Sequence, residues 1–309
     1  MKLQESHNLK KRHFYENAPL FLIALPGIIC LIAFAHLPMF GIILAFKDYR
    51  HIDGILGSAW NGLDNFKFMF SSNYIYGVIG RTIGYYILFT AVSMLCSVIV
   101  AILLYEITSK MCLKIYQASM LLPSFISFVL VAYIVFTLLS HEYGIVNKAL
   151  EDMGFNAIKW YNEPKYWPAI LLIVNIWKGV GYSCLLYYST ILGIDTSLFE
   201  AARIDGASKW QEIKNVTLPH LIPIISLMLI MSMGSIMSGN FDLFYQVPRQ
   251  SAALYSTTDI MNTYIYRNLS TGGISVSAAI GLFQSVVGTV MLLFTNGILR
   301  KISPENAMF

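Results

Sequence analysis

The chain has 309 residues, 56% of them hydrophobic and 12% charged, with a formal net charge of +4. Soluble domains carry about 25% charged residues, so a water-soluble globular fold would lack the side chains to cover its surface. Basic residues cluster only at the ends, as Lys10-Lys11-Arg12 and Arg300-Lys301, which argues against a nucleic-acid-binding stripe and for membrane-flanking anchors.

A bilayer core needs about 20 mainly apolar residues per helix. Six runs meet that length, at about 19–46, 81–105, 116–139, 167–192, 218–239 and 273–299. They predict an all-α membrane protein with six transmembrane helices in one unit over 19–299, between tails 1–18 and 300–309. The first run is long for a signal peptide and lacks a small-residue cleavage site, so it reads as a retained helix. Lys2, Lys10, Lys11 and Arg12 favour a cytoplasmic N-terminal tail, against outer loops that also carry Lys47, Arg50, Lys67, Lys148, Lys159, Lys165, Arg249 and Arg267, and an even number of spans returns the C-terminal tail to the same side. Trp60, Tyr74, Trp160, Tyr161, Tyr166 and Trp167 read as outer-interface anchors, with sugar stacking as the rival role. Pro26, Pro38, Pro123, Pro219 and Pro223 lie in or beside spans, where each removes a backbone donor and favours a bend. Cys30, Cys96, Cys112 and Cys184 form no Cys-x-x-Cys pair and read as small apolar side chains.

The segment 193–217, between the fourth and fifth spans, is too patterned for a simple connector. Ser197 with Glu200 has capping-box spacing, and Leu198, Phe199, Ala202 and Ile204 make one apolar flank. Gly206 is placed as a C-terminal stop. Ser208 with Gln211 repeats the capping-box spacing, and Trp210, Ile213 and Val216 continue an apolar side. The prediction is a short helix, a glycine turn and a second helix entering the membrane at Pro219. An exposed helix with an apolar flank needs a surface to bury it: lipid, the rest of the chain or a soluble partner.

Glu200-Ala201-Ala202, three residues, Gly206, nine residues, then Val216-x-Leu218-Pro219 resembles the EAA loop of ATP-binding-cassette importer permeases. Val216 stands where that family usually has isoleucine. Leu25-Pro26-Gly27, Pro38-Met39-Phe40-Gly41, Ala45-Phe46-Lys47-Asp48-Tyr49, Ile176-Trp177-Lys178-Gly179, Thr263-Tyr264-Ile265-Tyr266-Arg267 and Gly281-Leu282-Phe283-Gln284-Ser285 extend the likeness across the chain to the complex-carbohydrate branch, which is similar to the maltose-type permeases. The resemblance implies a cytoplasmic coupling helix that docks on a dimeric ATPase, with Glu200 at that surface and Gly206 making the turn. It also implies a second, related permease, an extracellular or periplasmic sugar-binding protein, and a setting in membrane lipid. No cofactor is then bound by this chain; ATP and Mg are used by the partner ATPase. The sequence holds no Gly-x-x-x-x-Gly-Lys-Ser/Thr phosphate loop, so ATP hydrolysis would fall to another polypeptide.

A sugar path needs inward hydrogen-bonding groups with room beside them. The fourth span offers Asn175, Lys178 and Tyr182 along one face. A lysine inside a span costs roughly 3 kcal/mol, so Lys178 is expected to face a cavity, pair with a partner or snorkel. The fifth span and its end offer Ser235, Asn240 and Asp242; the sixth offers Gln284. Ser238, Ser277, Gly281 and Gly288 read as packing positions. The rival class is an ion- or proton-coupled secondary sugar transporter, which often keeps carboxylates near the midplane and shows inverted repeats. Glu106 and Asp242 fall near span ends instead, and no such repeat is visible. A membrane receptor or assembly factor fits the bent spans and polar stripes less well, and no nucleophile–base constellation suggests an enzyme.

Overall fold

The computed structural model describes residues 20–302; the basic cluster at Lys10–Arg12 lies outside them. The described chain is almost entirely helical. Helix α1 is Leu20–Phe46. A two-residue antiparallel pair, β1 (Lys47–Asp48) and β2 (Ala59–Trp60), closes the loop that follows, with Lys47 opposite Trp60. Then come α2 (Asp64–Ser71), α3 (Asn73–Tyr105), α4 (Lys110–Phe125), α5 (Phe128–Leu139), α6 (Ile145–Asp152) and α7 (Trp167–Leu192). Helix α8 (Thr196–Ile204) precedes α9 (Lys209–Met233), α10 (Phe241–Gln246), α11 (Met261–Ser270) and α12 (Ile274–Ile302). Among the described residues, α1, α3, α7, α9 and α12 are long and apolar enough to cross a bilayer. Counted together as one span, the bent pair α4–α5 brings the number to six.

Three boundaries differ from the sequence reading, each for a local reason. Helix α3 begins at Asn73, not near 81. Arg81, which hydropathy treats as an edge, lies inside the helix, where its Nε donates to the Asp259 carbonyl at 3.0 Å. The expected span 116–139 is broken: α4 and α5 meet at 97°. Pro123 lies in the last turn of α4, and the Ser127 hydroxyl accepts from Leu130 N, starting a new helix. Helix α9 stops at Met233 and the chain turns, so 234–239 is not helix continuing the fifth span.

The bundle is tied at one end by a buried ion pair. Asp259 is 1% exposed and receives both guanidinium nitrogens of Arg267. It also accepts from the Tyr74 hydroxyl at 2.5 Å and from Thr263 Oγ1 at 2.7 Å. A buried carboxylate is tolerated only when its lone pairs are filled in this way. Trp167, expected at a lipid interface, is instead fully buried, its indole donating to the Trp160 carbonyl at 2.8 Å.

The outer surfaces of the bundle stay apolar. The most hydrophobic window of α1 has no buried residue, as expected of a helix bathed in lipid or covered by another subunit.

Candidate functional site

Two sites emerge, one at the α7–α9 connection and one in the middle of the bundle. The first is built by sequence-local rules. Asp195, not Ser197, caps α8: its carboxylate accepts from Ser197 N at 2.9 Å. That amide hydrogen bond holds the Asp195 carboxyl below the usual carboxylate range. The expected Ser197–Glu200 box is absent, because the helix starts at Thr196 with Asp195 as its cap and Ser197 already lies in the first turn.

At the other end, Ala207 N donates to Ala202 O at 2.9 Å and Gly206 N to Arg203 O at 3.1 Å. This paired closure requires a left-handed residue, and Gly206 supplies it with φ of 78°. The second box is formed: Ser208 Oγ accepts from Gln211 N while Gln211 Oε1 accepts from Ser208 N at 2.7 Å. The turn widens over Ile213–Thr217 before Leu218 and Pro219 start the membrane stretch, where proline lacks an N–H to donate.

Of the apolar flank, only Phe199 is buried, against Tyr105 with ring centroids 5.8 Å apart. Ile204 is 86% exposed and Trp210 68%. Glu200 and Ala201 are exposed too, and Ala202 and Leu218 are partly covered. The loop thus presents a carboxylate beside uncovered apolar side chains.

Four charged residues stiffen this loop. Arg203 Nε donates to Glu212 Oε1 at 2.9 Å, and Lys209 Nζ lies 3.5 Å from Glu212 Oε2 and 3.0 Å from Glu106 Oε2. The hydrogen bond to Glu212 raises the Arg203 guanidinium above its ordinary value.

The second site is a cavity of about 550 Å³ beside the middle of α3. Its aromatic wall is Tyr85, Phe89, Phe241 and Phe244, with Phe89 and Phe244 stacked at 5.8 Å. Its polar groups are Tyr86, Thr90, Ser93, Asn175, Ser235, Asn240 and Asn262. Asn175 Nδ2 donates to Ser93 Oγ at 3.0 Å, and Tyr86 shares a 2.7 Å hydrogen bond with Ser232. A smaller hollow of about 170 Å³ shares Thr90 and Ser93 with this cavity and continues past Ser97 and Tyr187. Tyr86, Thr90, Ser93 and Ser97 form one helical stripe. Rings next to uncharged hydrogen-bonding groups suit a ligand with apolar CH faces and many hydroxyls.

The sequence candidates divide here. Asn175, Ser235 and Asn240 line the cavity. Gln284 stands behind it, donating to Met237 O at 2.6 Å and to the Asn262 side chain at 3.1 Å, so it holds a lining residue. Tyr182 is exposed on the outside of α7, and Asp242 is exposed in the first turn of α10. Lys178 does not line the cavity. Its ammonium donates to the carbonyls of Pro123, Ser124 and Ile126 and lies over the Phe128 ring at 4.8 Å. It caps the end of α4 at the break, where helix carbonyls lack intrahelical partners. Close by, α4 and α7 touch backbone to backbone: a Cβ on Gly181 would sit 1.8 Å from Met120 O. Tyr85, Tyr86, Thr90, Ser93 and Asn262 escaped the sequence reading, although the α3 stripe was a usable signal.

The family model described as "Binding-protein-dependent transport system inner membrane component" matches residues 93–304. The chain belongs to that family. It is 30% identical over 93% of its length, and 89% of the relative's, to the polygalacturonan/rhamnogalacturonan transport system permease protein YteP of Bacillus subtilis. It is 24% identical to the maltodextrin transport system permease protein MalC of Streptococcus pneumoniae over 88% of this chain and 67% of that one. In structure it matches a chain of a bacterial alginate ABC transporter solved with an alginate pentasaccharide-bound periplasmic protein. That match has a TM-score of 0.85 and 31% identity over 94% of this chain and 97% of that one. The chain is a multi-pass membrane permease of the carbohydrate ABC importer type, a transport component and not an enzyme.

Proposed function

We propose that this chain is one of two transmembrane subunits that import oligosaccharides from polysaccharide breakdown by alternating access, driven by a separate dimeric ATPase. The observation that carries the reading is the pairing of the two sites. The α8 loop exposes Glu200, Ile204 and Trp210 at one end of the bundle, and an aromatic, uncharged, hydrogen-bonding cavity lies at mid-bundle. Glu200, Ala201, Ala202, Gly206, Leu218 and Pro219 form the coupling surface on which the ATPase docks. Asn175, Ser235 and Asn240, with the α3 stripe, line the path, and Gln284 supports it.

Both tails are cytoplasmic, in keeping with Arg300 and Lys301 in the last turn of α12. The second permease, a related but different chain, covers the open side of the cavity, and an extracellular or periplasmic binding protein delivers the sugar. The alginate transporter's pentasaccharide-loaded periplasmic protein and the polygalacturonan relative support oligosaccharide as the cargo. ATP and Mg are used by the ATPase.

The test is uptake into vesicles holding the chain with its second permease, ATPase and binding protein, against neutral and acidic oligosaccharides. Uptake that requires ATP and every component is expected. Uptake driven by an ion gradient without ATP would replace this reading with secondary transport.

A further inference from the structure

The charged cluster behind the coupling loop joins two parts of the molecule far apart in sequence. Lys209 opens α9, and Glu106 caps the end of α3; their side chains meet at 3.0 Å. Lys209 also lies 3.5 Å from Glu212, whose side chain is 5% exposed and receives Arg203 of α8. Two cations from different parts of the loop converge on this carboxylate, and releasing either leaves it with a single partner. Beside it, Phe199 of α8 packs on Tyr105 of α3, within the apolar cluster that includes Leu104, Ile191 and Leu221. The far part of α3 carries Tyr86, Thr90 and Ser93 on the cavity wall. The docking helix is therefore connected to the cavity wall by an ionic chain, Arg203–Glu212–Lys209–Glu106, and then by one continuous helix.

We infer that this chain of charges is the strut through which movement of the coupling loop is passed to α3 and so to the wall of the sugar cavity. Glu106, Lys209 and Glu212 are its positioning residues, and the inference rests on the coupling role proposed above. Two features favour a strut over simple loop folding. The capping of α8 and α9 is complete without these charges, through Asp195, the Gly206 turn and the Ser208–Gln211 box. Glu106 also lies outside the loop, 103 residues from Lys209, so the Lys209–Glu106 contact joins the loop to α3 and forms no part of its internal fold. A helix is stiff along its axis and carries a displacement at Glu106 to Thr90 and Ser93 without a hinge between them.

The test uses the full reconstituted complex and measures sugar imported per ATP hydrolysed for wild type, Glu106→Gln, Lys209→Gln, the double variant and Lys209→Arg. The amount of ATPase that co-purifies is measured for each. The expected result is a loss of about fivefold in sugar per ATP for each single variant, the lower end of ordinary coupling factors. The double variant should lose the same fivefold, since the contacts lie in series and either change alone breaks the chain at Lys209–Glu106. Lys209→Arg should stay near wild type, and co-purified ATPase should be unchanged. Unaltered sugar per ATP in the single variants, losses that multiply in the double, or losses matched by missing ATPase would each overturn the strut. Absence of ATP-driven uptake in the wild-type complex would instead overturn the importer reading on which it stands.

Discussion

The proposed coupling loop and the proposed sugar cavity are built on opposite plans. The loop is one stretch of 193–219, whose caps, glycine turn and exposed carboxylate follow from near neighbours. The cavity is assembled from α3, α7, the α9–α10 turn, α10 and α11, whose residues meet only once the bundle has packed. A docking surface made of local rules keeps its shape when the spans move, whereas a cavity made of several spans changes shape whenever they do. That division suits a machine in which one region receives force and the other alternates.

Substitutions can break this comparison or sharpen it. The largest effect is expected from Glu200→Lys. Reversing a charge at a docking face costs about 2 kcal/mol, on the order of thirtyfold. Uptake of every sugar should fall by the same factor while the subunit still inserts, as membrane fractionation and uptake assays would show. Asn175→Leu comes next. It removes a hydrogen-bonding group from the cavity, worth about 1.4 kcal/mol or roughly tenfold for sugars that use it. It should reorder the sugar preferences, which competition between sugars would reveal.

Lys178→Met should act differently from both. It leaves the three carbonyls at the end of α4 uncapped, costing about 2 kcal/mol of stability, so thermal unfolding should come at lower temperature with sugar ranking unchanged. A changed ranking would return Lys178 to the sugar path. The smallest effect belongs to Ser208→Ala, which removes one N-cap at about 1 kcal/mol. It should lower the melting temperature slightly, and sugar ranking should not respond.

The same contrast explains what the sequence could reveal. Gly206 and the Ser208–Gln211 box were legible because a turn and a cap depend on residues within a few positions. The Ser197 box misled because the helix starts at Thr196, with Asp195 as its cap. The six apolar runs announced an all-α membrane protein, since burying a backbone in lipid leaves few alternatives to helices. Pro123 marked a bend in the third run, but not a 97° break between α4 and α5, because apolar residues continue on both sides and only Ser127 signals a new helix start. For Lys178, hydropathy required a compensating partner, but the choice between sugar, carboxylate and backbone carbonyls depended on where α7 meets α4. Asn175, Ser235 and Asn240 were found as polar residues in or beside apolar spans. Tyr86, Thr90 and Ser93 were missed because hydroxyls on a long helix satisfy themselves locally as often as they line a path.

The most direct test of the central claim, that coupling and sugar recognition occupy separate regions, compares Glu200→Lys and Asn175→Leu in the reconstituted complex across one panel of oligosaccharides. The account predicts that Glu200→Lys lowers all uptake rates by a common factor and that Asn175→Leu changes their order. If both variants scaled every rate alike, or Glu200→Lys reordered the sugars, the separation would be contradicted.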